Sequence, residues 1–327
     1  MSTAKTNNPI IEQSQSAILP AGKPRKKRRR TEKTVIDRIF DFFNYFFFLL
    51  FGLLCLFPFY YLFINTISDN ELVRTGQIKW FPRGIHLSNY LSLLHVNDLG
   101  TSTMISIART VLGTLTMVLA SAFVGYLVTK QKMWGRRFIY RFIVITMYFN
   151  AGLIPWYLNM SMLGLTNNFW GYIIPGIVAP FNIILVKTYI ESIPQDLEES
   201  AEIDGAGYFT IFWRIILPLS KPILATIAIF GAVGNWNSFI DSMILMSAKP
   251  ALYTLQYRLY IYLTGTSDLA SLMSSGGTVS QSALNAALNM RTIRLTVAMV
   301  TILPIILVYP FMQRFFEKGI MIGAVKG

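Results

Sequence analysis

The sequence predicts an all-α membrane protein with six transmembrane helices. Hydrophobic residues make up 53% of the 327 residues and charged residues only 14%, against roughly 25% charged in soluble domains. The mean hydropathy of +0.48 points the same way, because lipid must cover part of so much apolar surface. The third observation is the spacing of the apolar runs, each near the roughly 20 residues that cross a hydrocarbon core.

Residues 1–22 are polar and are expected to be disordered. A basic run, Lys23 to Arg30, follows and leads into the first apolar run, Phe42 to Ile64. That run is too long for the apolar region of a signal peptide and no small-residue cleavage site follows it, so it is expected as an uncleaved first span. The formal charge of +13 suggests nucleic acid until it is divided. Residues 1–38 hold ten Lys or Arg and three acids, leaving nineteen and thirteen for the rest. A basic run just before a first span holds an N-terminus in the cytoplasm, so lipid is the expected partner and nucleic acid is not. The expected division is a disordered, basic, cytoplasmic tail over 1–38 and a transmembrane domain over 39–327.

Five further spans are expected at Thr103 to Val128, Phe138 to Met160, Phe169 to Ile190, Ile223 to Met246 and Leu295 to Phe315. Lys130, Lys132, Arg136 and Arg137 lie between the second and third spans, whereas the segment between the third and fourth carries no charge. This asymmetry predicts that both termini are cytoplasmic. Long connections are then expected outside at 65–102 and 247–294, and inside at 191–222. Cys55 is the only cysteine and lies in an apolar run, so no intrachain disulfide is possible; with His86 and His95 as the only histidines, no metal site is expected.

The inner connection carries the strongest signal. Ser192 is placed to cap a short helix with Gln195 three residues on, and Pro194 suits its first turn. Ile193, Leu197, Ser200 and Ala201 recur at helical spacing. Asp204-Gly205-Ala206-Gly207 ends the helix, and Tyr208 to Leu217 is expected to continue as a second helix up to Pro218. Five acids, Asp196, Glu198, Glu199, Glu202 and Asp204, fall within nine residues, where cytoplasmic loops are usually basic. Glu198 and Glu202 should repel one another. Such a hairpin avoids anionic lipid and suits a protein partner with basic groups, unless it is merely a solvated loop.

Glu199-Ser200-Ala201, three residues, Gly205, nine residues, Ile215-Ile216-Leu217-Pro218 resembles the EAA loop of permease subunits of binding-protein-dependent ABC importers. Ser200 stands where that pattern usually has Ala. Leu153-Ile154-Pro155, Asn235-Trp236-Asn237-Ser238, Tyr309 to Gln313 and Gly319 to Gly327 extend the resemblance to the MalG-type carbohydrate permeases, especially their LplB/YtcP-like branch. The resemblance implies a type I ABC importer permease fold with a cytoplasmic EAA coupling hairpin. It implies uptake of a carbohydrate, an oligosaccharide, working with a second homologous permease subunit, two ATPase subunits and an extracytoplasmic solute-binding protein. By the same resemblance the coupling residues are Glu199, Ser200, Ala201, Asp204, Gly205, Ala206, Leu217 and Pro218. Glu199 would meet a basic group of the ATPase, Gly205 would form the turn, and Ala201 would allow close approach.

The fifth expected span contains Gly234, Asn235, Trp236, Asn237, Ser238, Asp241 and Ser242. On one continuous helix, Gly234, Asn237 and Asp241 share a side and Asn235, Ser238 and Ser242 another. Neither side suits lipid. A charge at the bilayer centre costs about 2.5–3.5 kcal/mol on insertion scales, so Asp241 and Arg109 should face protein, water or the outer interface. Asn235, Trp236, Asn237 and Asp241 are candidate lining of a solute path, since amides and an indole suit sugar hydroxyls and faces; helix–helix hydrogen bonding is the alternative. Tyr253, Tyr257 and Tyr260 are a candidate aromatic face for a sugar or a binding protein, or else an interfacial belt.

The chain has no G-x-x-x-x-G-K-[ST] loop, so no cofactor is expected on it, and ATP and Mg belong to a partner ATPase. The chain is thus expected to be a transport subunit and not an enzyme. A secondary transporter or membrane enzyme would need intramembrane ion ligands or a catalytic pair, and H-E-x-x-H and G-x-S-x-G are both absent. A permease for another solute class, such as peptides, stays open.

Overall fold

The structure is a computed structural model and describes residues 35–95, 98–274 and 292–310. Among the described residues every regular element is helical. The chain divides into two units, 1–56 and 57–327. The described part of the first unit is helix alone, the beginning of a span that runs from Val35 to Thr66. At 32 residues and about 1.5 Å per residue it is roughly 48 Å long, longer than a hydrocarbon core of about 30 Å. Phe42, Phe43, Phe46, Phe47 and Phe51 are all exposed, a surface suited to lipid or to another apolar chain. The tail boundary expected at residue 38 moves, because Val35 to Arg38 are already helical; residues 1–34 lie outside the described residues.

The second unit is organised around the second span, Leu99–Leu127. Ala122 and Tyr126 near its end share a core with Val186 and Ile190 of helix Pro180–Ile190, with Ile211, Phe212 and Ile216 of the acidic hairpin, and with Ile223 and Ile227 of helix Lys221–Asn237. One cluster therefore ties the hairpin to three membrane segments. Toward the other end of the span, Leu99 packs with Leu255, Leu259 and Val297, so the helices Leu255–Ser274 and Thr292–Pro310 close on it there.

Three expected spans are not single helices. Helix Arg136–Tyr148 stops where Phe149 becomes extended, and Leu153–Met162 begins a new helix. The Asn150 side chain accepts the Gly152 N–H at 2.8 Å in the gap, and Pro155 sits in the first turn, where its missing N–H costs nothing. The fourth segment joins the 3₁₀ turns of Phe169–Gly176 to Pro180–Ile190 with a 44° bend. The fifth ends as a helix at Asn237, with Ser238 extended, and resumes as Ile240–Leu245. Gly234 and Asn237 therefore do not share a helical face with Asp241, a correction to the expectation from an unbroken helix. The connection expected at 247–294 carries the ordered helix Leu255–Ser274, while Gly276, Gly277 and residues 311–327 lie outside the described residues.

Candidate functional site

The acidic hairpin starts with helix Asp196–Ile203. Gln195 stands at its N-terminus, and the Ser192 hydroxyl donates to the Tyr189 carbonyl at 2.6 Å. The expected Ser192 cap is thus corrected: the preceding span's last turn claims that hydroxyl first. Asp196, Glu198 and Glu199 occupy the first turn, where the helix dipole favours negative charge. The helix ends in a Schellman motif, with the Ala206 N–H donating to the Ala201 carbonyl at 2.9 Å and the Gly205 N–H to the Glu202 carbonyl at 3.0 Å. Gly205 has φ +81°, a conformation that a Cβ disfavours. Ala201 and Ala206 both pack on the core beneath, so the small residues of the motif face inward and let the hairpin lie close.

The return limb is not one straight helix. Tyr208–Ile211 is α-helical, Phe212–Ile216 is a π turn, and Leu217–Leu219 follows before a 79° bend into Lys221–Asn237. Leu217 packs on the hairpin core and Pro218 is exposed. The Ser200 hydroxyl donates to the Asp196 carbonyl at 2.7 Å, so the serine that replaces alanine satisfies itself within its own helix.

The five acids separate into two groups. Glu198 is ion-paired with Lys130, both side chains being largely buried. Glu202 pairs with Lys132 at 3.3 Å. The predicted repulsion between Glu198 and Glu202 is thereby offset by two cations from the turn after the second span. Burial pulls the Lys130 pKa from 10.5 down to about 8, opposed only in part by Glu202, while Lys132 is raised, chiefly by its hydrogen bond to Glu202. Among the described residues, Asp196, Glu199 and Asp204 have no ion-pair partner. Glu199 lines the gap between the hairpin and the basic turn, and the hairpin also exposes apolar side chains. Ile203 is 86% exposed and Phe209 67%, with Phe209 edge-on to the half-exposed Trp213 at 6.0 Å.

The candidate path residues are placed separately. Asp241 is ion-paired with Arg109, and its other oxygen accepts from Ser238 Oγ at 3.0 Å and from the Ser242 N–H at 2.9 Å. Arg109 is 3% exposed, donates to the Ser238 carbonyl at 3.1 Å, and has its guanidinium 4.7 Å from the Tyr172 ring centre. The Trp236 indole donates to the Thr301 carbonyl at 2.9 Å. Asn235 lies against Gly113, where a Cβ would come within 3.0 Å of its amide nitrogen. Asn237, at the helix end, is exposed. Asp241 and Trp236 thus hold helices together within the chain, Trp236 also lines an apolar cavity of about 560 Å³, and Asn237 is the one of the four whose residue is exposed.

The three tyrosines do come together. Tyr253 meets Tyr257 edge-on at 4.7 Å, Tyr257 stacks with Tyr260 at 6.3 Å, and Tyr260 stacks on Phe239 at 4.8 Å. Tyr253 precedes the helix that carries the other two. The row therefore runs across a turn and ends at the break in the fifth segment.

Residues 17–322 match the family model described as "Binding-protein-dependent transport system inner membrane component". The chain belongs to this family. Protein LplC of Bacillus subtilis is 34% identical to this permease over 90% of the chain and 97% of the relative. The polygalacturonan/rhamnogalacturonan transport system permease protein YtcP of the same organism is 33% identical over 89% and 99%. A solved structure, "a bacterial ABC transporter involved in the import of the acidic polysaccharide alginate", superposes with a TM-score of 0.77 at 34% identity, covering 88% of this chain and 99% of that one. The type I importer permease fold expected from the resemblance is the fold of the molecule. The permease is a membrane-embedded transport subunit, and nucleotide hydrolysis belongs to a separate subunit.

Sequence reading missed Ile203, Phe209 and Phe239, and read Lys130 for topology but not for its pairing with Glu198. For Ile203 a signal was present, since it is a large aliphatic residue directly flanked by Glu202 and Asp204 at the end of an acidic helix. For Phe239 there was none, because its role depends on a helix break.

Proposed function

We propose that this permease takes up an oligosaccharide handed over by an extracytoplasmic binding protein, with both termini in the cytoplasm. In this reading the acidic hairpin docks on one of two ATPase subunits, and a second homologous permease completes the pore. The observation that carries it is the division of the hairpin acids. Glu198 and Glu202 are held by the chain's own lysines, whereas among the described residues Glu199 has no ion-pair partner, and Ile203, four residues on in the same helix, is 86% exposed. An acid beside an exposed aliphatic side chain, on a rigid helix, fits a partner cleft with a basic group and an apolar wall. The carbohydrate assignment is supported by the names of relatives, which include a polygalacturonan/rhamnogalacturonan permease and the arabinooligosaccharide permease AraQ of Halalkalibacterium halodurans, 30% identical over 79% of this chain. Asn237 and the row Tyr253, Tyr257, Tyr260 and Phe239 supply amide and aromatic surface of the kind that sugar hydroxyls and sugar faces engage.

The test is uptake of labelled oligosaccharides, uronate-containing and neutral, by cells with and without this permease, together with identification of the chains that copurify in mild detergent. Loss of oligosaccharide uptake and recovery of an ATPase, a second permease and a binding protein are expected; peptide uptake lost in its place would overturn the substrate class. For orientation, in a Cys55→Ser background Gln77→Cys should react with an impermeant thiol reagent in intact cells. Gln131→Cys should react only after permeabilisation, and the reverse pattern would invert the topology.

A further inference from the structure

A coupling element must be gripped from two sides, by the partner that moves it and by the span that it moves. Glu199 has no ion-pair partner among the described residues, although it lines the same gap as the basic turn; what grips its neighbours Glu198 and Glu202 is that turn, after the second span. Lys130 is 14% exposed on its side chain and lies against Glu198, itself 19% exposed, with its ammonium 4.1 Å from the Tyr126 ring centre. Tyr126 donates from its hydroxyl to the Tyr208 carbonyl at 3.2 Å, reaching the return limb of the hairpin. Lys132 adds the second pair, to Glu202. Arg136 braces the turn by donating to the Thr129 carbonyl at 3.1 Å. A cavity of about 410 Å³ remains between turn and hairpin, so side chains and not close backbone packing carry the connection across this gap.

We infer that Lys130, seconded by Lys132, is a positioning residue that clamps the acidic helix to the end of the second span through Glu198 and Glu202. Movement imposed on the Glu199 face is thereby delivered to the helix that holds Arg109. This inference rests on the docking role proposed for the hairpin and deepens it. The clamp makes the division of acids functional: two bind the helix to its own subunit, and the neighbouring one is left for the partner. A buried ion pair whose lysine also lies over an aromatic face resists shear better than an exposed pair, because separation leaves each charge uncompensated where water is partly excluded.

The test uses the intact importer with its copurifying chains, reconstituted in liposomes, and reads oligosaccharide uptake per ATP hydrolysed. Lys130→Glu and Glu198→Lys should each leave the ATPase bound and lower that ratio by about tenfold, within the usual range of coupling between sites. The exchange Lys130→Glu with Glu198→Lys should restore most of it, since the pair is re-formed with its sign reversed. Lys130→Gln, which removes charge without introducing repulsion, covers the case in which Lys130→Glu does not assemble, and it should lower the ratio as well. A parental ratio in Lys130→Gln, or failure of the exchange to improve on the single changes, would overturn the clamp. Glu199→Lys measured beside them separates the two readings. Should it release the ATPase while Lys130→Gln is parental, the clamp fails and the docking role stands; should it also be parental, the docking role itself fails.

Discussion

The acidic hairpin and the break in the fifth segment are both rich in polar residues, yet the structure spends that polarity in opposite ways. At the break, Asp241 is consumed by Arg109, Ser238 and the Ser242 N–H, and Trp236 is consumed by Thr301. In the hairpin, Glu199 has no ion-pair partner among the described residues, and Ile203 of the same helix is exposed. The difference follows from the solvent. Within lipid an unpaired polar group costs several kcal/mol, so it must find a partner in its own chain or line a wet cavity. Outside lipid, water satisfies a carboxylate at little cost, and an acid can be left free for a partner. Polarity in a span is therefore weak evidence for a solute path, whereas an unpaired acid beside exposed apolar surface on a capped helix is stronger evidence for docking.

The sharpest way to break this contrast is to unpair the membrane ion pair. Arg109→Leu leaves Asp241 uncompensated and should destabilise the permease by about 3–5 kcal/mol, read as loss of folded protein in detergent thermal melts. Adding Asp241→Leu should recover much of the loss. At the hairpin the corresponding backbone change is Gly205→Val, which forces a β-branched residue to φ +81° at a cost of about 1–2 kcal/mol. Here the membrane segments should keep their melting temperature while ATPase binding weakens by roughly tenfold, as that energy implies. Between the two in kind is Asn237→Ala, expected to lower uptake about threefold with the complex assembled, since an exposed amide contributes on the order of one hydrogen bond. Alanine at Trp236 should act mainly on stability.

The smallest expected effect is on pH. Burial sets the Lys130 pKa at about 8, against 10.5 for a free lysine. The charged groups around it are Glu198, Glu199 and Glu202 on the hairpin, Glu191 at the end of the preceding helix, and Lys132 and Arg136 on its own side, with the Tyr126 and Tyr208 hydroxyls completing the surroundings. Because the folded pKa lies below the unfolded one, this group makes the fold more stable as pH rises from about 8 to about 10.5, the unfolded chain holding the extra proton. The same rise neutralises Lys130 and removes its pair with Glu198. Uptake per ATP should thus fall between about pH 7 and about pH 9 with no matching fall in melting temperature, and Lys130→Arg, which stays charged, should flatten the profile.

What was legible in the sequence was local or periodic. The hairpin was legible because its turn needs a residue tolerant of φ +81° at Gly205 and its inner face needs small residues at Ala201 and Ala206, and both demands leave a fixed spacing. The apolar runs were legible because lipid imposes length. The break at Ser238 was not, since nothing in Asn235 to Asp241 is a helix breaker and its stability comes from Arg109, 132 residues away from Asp241. The Lys130–Glu198 pair joins residues 68 apart. The basic turn and the acidic helix were each noticed as charge, one for topology and one for a partner, and only the shared core around Tyr126 and Phe212 sets them face to face.

Docking of the hairpin on the ATPase through Glu199 is what separates a coupling element from a solvated loop. It is tested most directly by purifying the importer carrying Glu199→Lys and measuring how much ATPase remains bound per permease. The account predicts that most of the ATPase is lost, or that what remains hydrolyses ATP without uptake, while the permease melts at its parental temperature. A Glu199→Lys permease that retains its full complement of ATPase and transports at the parental rate would contradict it.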